Sequence, residues 1–290
     1  MRPFLIKNLL HREKLDPNRK LEDACHPSCP VASAAWTEYH TRVEVAVAFC
    51  VARFGFCHIF DIHGQSHRAA SELGYLVRTS DLLESDDHLN RPALALRSSV
   101  ASLVERGSLV TDILRGPYSL GALLENRGYA AFPSHDHGYP ATDKEIYFWG
   151  SYTTWRFGTR ADLSGDAGAP VSVSGGTNIR FGVKHGSLCT ESGTSRHGGH
   201  ETRMDGERRT SAGEAMRRTR CLPSLEGYTA DGARPWGPGN YGPGVCATQV
   251  ETDARVRRTP QDMVLFANAL AESMILFLYH HYHWCPSKDC

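Results

Sequence analysis

Residues 160–244 constrain the fold more than any other feature. They hold 17 of the 27 glycines, many Ser, Thr and Arg, and few large apolar side chains. No hydrophobic period persists there for more than a few positions. A structureless loop of that length is uncommon inside a compact domain. The stretch therefore reads as disordered or foreign to the fold. A core must then be assembled from 1–159 and 245–283, with 284–290 as a tail.

With 290 residues, 41% apolar and 22% charged, the chain suits one large domain or two small ones. Lys+Arg and Asp+Glu are both 32, so formal net charge is zero, which argues against a nucleic-acid binder. The arginines at 203, 208, 209, 217, 218 and 220 lack interleaved aromatics and read as a solvated stretch, with a basic interaction arm as the minor alternative. Asn268, Glu272 and Ser273 interrupt the apolar run 263–279, so it reads as a core helix and not a membrane span. Lys7 cuts the run Phe4-Leu5-Ile6 short, which leaves no signal peptide and points to the cytoplasm. Nine cysteines show no framework spacing. Cys25-His26-Pro27-Ser28-Cys29 reads as a loop of free thiols, with a structural metal as the alternative.

Trp36, Tyr39, Val43, Val47, Cys50 and Phe54 recur at helical spacing, and Gly55 stops them. The apolar run 56–62 has strand length, with His63 just past it. One helix opens at Pro92 and runs through Leu103 to Gly107. Another is capped by Ser119 and stopped by Gly128. Residues 129–132 and 245–250 read as strands. Thr259-Pro260-Gln261-Asp262 starts a helix to about Tyr282, with Met263, Phe266, Leu270, Met274 and Phe277 on its apolar face. His280, His281 and His283 lie at its negative end, where imidazolium is favoured, and read as a solvated cluster. Helices alternating with strands predict an α/β sheet covered by helices.

Three segments carry candidate chemistry. In Asp61-Ile62-His63-Gly64-Gln65-Ser66-His67, His63 stands at a strand's carboxyl end, where open α/β sheets place ligands. A neutral imidazole there can bind zinc with Asp61 orienting it, or can simply bond the backbone. Glu251, at the end of strand 245–250, can act as a general base or stand as a surface acid. His11-Arg12-Glu13-Lys14-Leu15-Asp16-Pro17-Asn18-Arg19 offers guanidinium forks for a carboxylate, or a solvated helix start.

Together with Trp36-Thr37-Glu38-Tyr39-His40, Glu72-Leu73-Gly74-Tyr75-Leu76 and Arg115-Gly116-Pro117-Tyr118-Ser119-Leu120, these segments resemble the N-formylglutamate amidohydrolase-like family over 3–159 and 245–283. The resemblance implies a three-layer α/β/α fold with a mixed sheet, phosphorylase/hydrolase-like and related to metallocarboxypeptidases. It implies zinc-dependent cleavage of the amide of an N-acyl amino acid such as N-formylglutamate. By the resemblance His63 is a zinc ligand and Glu251 activates the attacking water. Asn18 and Arg19 grip the substrate carboxylate, and Arg12 assists them or polarises the scissile carbonyl.

The chain also departs from that pattern. The family's Pro-His-Gly-Gly turn and an acidic residue, which by the resemblance supply the other two zinc ligands, lie upstream of the point matching Met1. Only His63 remains, so zinc is expected to bind poorly and part of the core to lie open. The family's Gly-Gly-Tyr-Asn-Thr-Arg-Arg-His-Gly-Ser reads here from Gly150 and Ser151 onward, with Phe157 in place of the His. Lys184-His185-Gly186-Ser187 echoes the end of that motif. The expectation is an N-terminally incomplete or mis-spliced member of the family. The alternative is a non-catalytic paralogue that keeps a carboxylate pocket.

Overall fold

A computed structural model describes residues 3–141, 147–158 and 244–285. They belong to one compact unit, formed by Met1–Gly176 and Trp236–Cys290. The readings of 160–243, including Lys184-His185-Gly186-Ser187 and the arginine stretch, lie outside the described residues.

The order is α1 (Leu21–Ala24), α2 (Pro30–Phe54), β1 (Cys57–Gly64), β2 (Ser71–Gly74), α3 (Thr79–Leu82), α4 (Asp86–Leu89), α5 (Pro92–Arg97), α6 (Ala101–Glu105), α7 (Val110–Arg115), α8 (Leu120–Glu125), β3 (Ala131–Phe132), α9 (Tyr152–Gly158), β4 (Val245–Thr252) and α10 (Pro260–Tyr282). The strands form a mixed four-stranded sheet in the order β1-β4-β2-β3. β4 runs parallel to β1 and antiparallel to β2, while β2 and β3 are parallel. The α/β class and the mixed sheet are as expected.

β4 is central, and all eight of its residues are buried. Two of its neighbours come from the long first segment, which is how the separated pieces of sequence share one core. The main cluster joins Leu73, Tyr75 and Val77 after and within β2 to Leu103, Ile113, Leu120 and Leu124 of the short helices, and to Phe266, Leu270 and Phe277 of α10.

α2 ends as read: Gly55 adopts φ 75° and its N–H bonds Val51 O. Other boundaries need correction. His63 and Glu251 lie within their strands, because the β1–β4 ladder runs on to Gly64 and Thr252. The helix from Pro92 is two helices. Ser98 and Ser99 break it, with Ser99 N donating to Tyr75 O and Ser99 O accepting from Ala247 N. Thr259 caps α10 by accepting from Asp262 N at 3.0 Å. Met263, placed on its apolar face, is 46% exposed. Val264, Leu265, Ile275 and Leu276 are exposed too, so α10 covers the core with one side only.

Of the three histidines at its end, His280 and His283 are exposed as read, but His281 is not. His281 is buried, its Nε2 lies 3.3 Å from Tyr118 O, and burial with the charge of His280 pulls its pKa down to about 4. The tail begins packed: Trp284 meets the rings of Phe54 and Phe56. Cys25 and Cys29 are free thiols, while Cys285 is disulfide-bonded.

Candidate functional site

Residues opposite one another on neighbouring strands share a face of the sheet. The register sets His63 of β1 against Glu251 of β4, and Glu251 against Glu72 of β2. One row away, Asp61 and Gln249, each two residues earlier, and Gly74, two residues later on the antiparallel β2, make a second row on that face. The polar stripe thus crosses three strands at the carboxyl ends of β1 and β4.

Gly74 leaves room for the segment that crosses this stripe. A Cβ there would lie 2.6 Å from Gly150 N and 2.8 Å from Trp149 C. Trp149 O accepts from Leu76 N at 2.6 Å, which pins the segment and delivers Ser151 onto the stripe. Gly74→Ala is expected to push this segment away, cost about 1–3 kcal/mol through overpacking, and displace Ser151. Urea unfolding checks it; an unchanged midpoint counts against the close approach.

His63 Nε2 lies 3.0 Å from Asp61 Oδ2 and 3.4 Å from Asn18 Nδ2. One ring nitrogen cannot donate to the first and accept from the second at once. The shorter, charged contact decides: Nε2 donates toward Asp61, and Asn18 merely packs there. That ion pair is bent, because buried Asp61 Oδ2 has no well-aligned donor. Burial pulls the His63 pKa down. The bond and charge of Asp61, with the charge of Glu251, overcome burial and the opposing charge of Arg12, so the net shift is upward.

Asp16 organises the arginine segment. Its Oδ2 accepts from Arg12 Nε at 2.8 Å and Arg19 Nε at 3.1 Å, and its Oδ1 from Asn18 N at 3.1 Å. Asp16 is 7% exposed, whereas the Arg12 and Arg19 side chains are 64% and 59% exposed. They line an open groove of about 540 Å³ with Glu13, Asp23, Cys25 and His26. His63 and Glu251 do not line it. Asn18 lies between the two regions, since it touches Ser151 and Thr153 as well as His63.

Glu251, 6% exposed, accepts from Gln249 Nε2 at 2.6 Å. Ser151 Oγ donates to Gln249 Oε1. The predicted residues Arg12, Asn18, Arg19, His63 and Glu251 therefore share one neighbourhood, although the arginines and Glu251 do not touch. Sequence reasoning gave no role to Gln249, Ser151, Asp16 or Glu72. Gln249 had a usable signal: two positions before Glu251 on a strand, it shares its face. Glu72 is fully buried, with Oε1 2.6 Å from Arg68 Nε and 3.2 Å from His67 Nε2, and Oε2 accepting from Phe148 N at 3.2 Å. Its place opposite Glu251 follows from strand pairing alone.

Among the described residues no three His, Cys, Asp or Glu side chains converge to hold a metal. A catalytic zinc takes three protein ligands, so these residues do not fit that ion. No protein-family model, curated protein or solved structure matches the chain.

Proposed function

We propose that this chain binds an N-acyl amino acid and hydrolyses its amide bond, on a phosphorylase/hydrolase-like three-layer α/β/α fold. One observation carries the reading: Asn18, bonded through its backbone N–H to the Asp16 that holds two exposed arginines, packs beside His63 and leads through Ser151 and Gln249 to a buried carboxylate. Arg12 and Arg19 take the substrate carboxylate through their terminal nitrogens, the Nε atoms being held by Asp16. Glu251 accepts the proton of the attacking water. The water oxygen bonds the acyl carbon, the C–N bond breaks, and the amine leaves with a proton. The His63–Asp61 pair steadies charge on the carbonyl oxygen.

The test is release of formate and glutamate from N-formyl-L-glutamate by the full chain, with binding followed by calorimetry. Arg19→Ala is expected to raise KM about 10-fold, the loss of one charged hydrogen-bonded contact. Neither binding nor release would sink the reading. Binding without release selects the second reading, a carboxylate-binding protein without turnover. That reading is favoured by Glu251 Oε1 being already engaged and by the lack of a three-ligand group among the described residues.

Metal content gives an independent check. After dialysis the protein is expected to hold well under one zinc per chain, with no change in His63→Ala. A full equivalent lost in that variant would mean that ligands beyond the described residues complete a site.

A further inference from the structure

We infer that Ser151 and Gln249 are positioning residues for Glu251, the end of a one-way chain of hydrogen bonds running Asn18, Ser151, Gln249, Glu251; the inference rests on the hydrolase reading. The direction follows from counting protons and lone pairs. Ser151 Oγ carries one hydrogen and meets two acceptors, Asn18 Oδ1 at 2.9 Å and Gln249 Oε1. Asn18 Oδ1 has two lone pairs. Both are taken by Thr153, from N at 3.0 Å and from Oγ1 at 3.0 Å. The Ser151 proton therefore goes to Gln249 Oε1, while Ser151 Oγ accepts from Asn18 Nδ2 at 2.7 Å.

That donation settles which way the Gln249 amide faces. With Oε1 toward Ser151, Nε2 points at Glu251 Oε1, 2.6 Å away. Gln249 is 2% exposed, so water does not compete for either end. A hydroxyl that accepts and donates at once is polarised, which strengthens both bonds. One carboxylate oxygen of Glu251 is thereby held, and the other is the one that receives the water proton.

The far end of the chain is tied to the arginine arm. Asn18 N donates to Asp16 Oδ1, and Asp16 holds Arg12 and Arg19. The distance between captured carboxylate and base is thus set by side chains that neither bind substrate nor move a proton. Ser151 and Gln249 belong to separate pieces of the sequence, and their junction orients Glu251.

The test measures kcat and KM of the full chain on N-formyl-L-glutamate, together with NMR exchange rates of the Gln249 side-chain amide protons. Ser151→Ala is expected to lower kcat by about 10- to 100-fold, as for other lost orienting partners, with KM within about twofold. Exchange at Gln249 Nε2 should quicken, and Ser151→Thr, which restores the hydroxyl, should recover both readouts. An equal loss in kcat and KM, or exchange unchanged in Ser151→Ala, overturns the inference. A wild-type chain that releases no formate overturns the hydrolase reading instead. The exchange measurement then decides the hydrogen-bond chain by itself.

Discussion

Glu251→Gln is expected to lower kcat for an N-acyl amino acid by about 10²–10⁴-fold, the usual worth of a positioned general base, with KM nearly unchanged. The substitution keeps the side chain's size and its oxygen acceptor for Gln249 Nε2. It removes only the ability to take a proton. Folding should survive, because Glu251 faces fully buried Glu72 across the β2–β4 ladder, and losing one of two neighbouring carboxylates relieves like charge. Substrate capture should survive as well, since Arg12 and Arg19 stand apart from Glu251 on the Asp16 arm. Turnover equal to wild type would remove Glu251 from the mechanism. A matching rise in KM would place it in binding.

Stability is expected to fall steeply on mild acidification, by about 4 kcal/mol between pH 6.5 and 5. Buried histidines carry this loss. Burial, then the charge of Arg156, pull the His40 pKa down to about 3, against the small upward pull of Pro17 O. His40 is 1% exposed and its Nδ1 has no partner. His281 sits at about 4. His58 is likewise held near 3 by burial and by the charge of His281, and its nitrogens bond the hydroxyls of Tyr282 at 2.9 Å and Thr248 at 2.8 Å.

Each folded pKa lies below the unfolded value near 6.5. Below that value the unfolded chain binds protons that the folded one refuses, so stability is full above pH 6.5 and is lost as pH falls toward the folded pKa. The slope is about 1.4 kcal/mol per pH unit for each group. His40 and His281 supply about 3 kcal/mol of the figure, since the unfolded imidazoles are already half protonated at pH 6.5, and His58 supplies the rest. His63, with its raised pKa, acts in the opposite sense, and its contribution falls away as pH climbs above 6.5. Urea midpoints at pH 6.5 and 5 check the slope. His40→Gln, whose amide can still donate to Pro17 O, should flatten it; an unaltered slope would rule His40 out.

Local pattern was enough to place several elements. The spacing from Trp36 to Phe54, the glycine at 55 and the cap at Thr259 are written in adjacent residues, and α2 and α10 form accordingly. The position of His63 and Glu251 near parallel strand ends was legible too, because apolar runs of strand length precede both. The break at Ser98 and Ser99 was not, since its cause is a pair of bonds to Tyr75 and Ala247, far away in sequence. Nor was the fate of His281, whose neutrality comes from burial and the neighbouring charge of His280 against the upward pull of Tyr118 O.

The candidate site divides in the same way. The sequence by itself determined the types of group available: guanidinium forks at Arg12 and Arg19, an imidazole at His63, a carboxylate at Glu251. It also singled out Ser151, as a departure from the resembled pattern with no role attached. Tertiary structure alone decided which of these meet. β4, remote in the chain, inserts between β1 and β2, and that pairing sets Glu251 beside His63 and opposite Glu72. The crossing at Gly74 then lowers Ser151 onto Asn18 and Gln249. The physical reason is that hydrogen bonds and charge effects act over a few ångströms of space, whereas pattern in sequence reports only what neighbouring residues do.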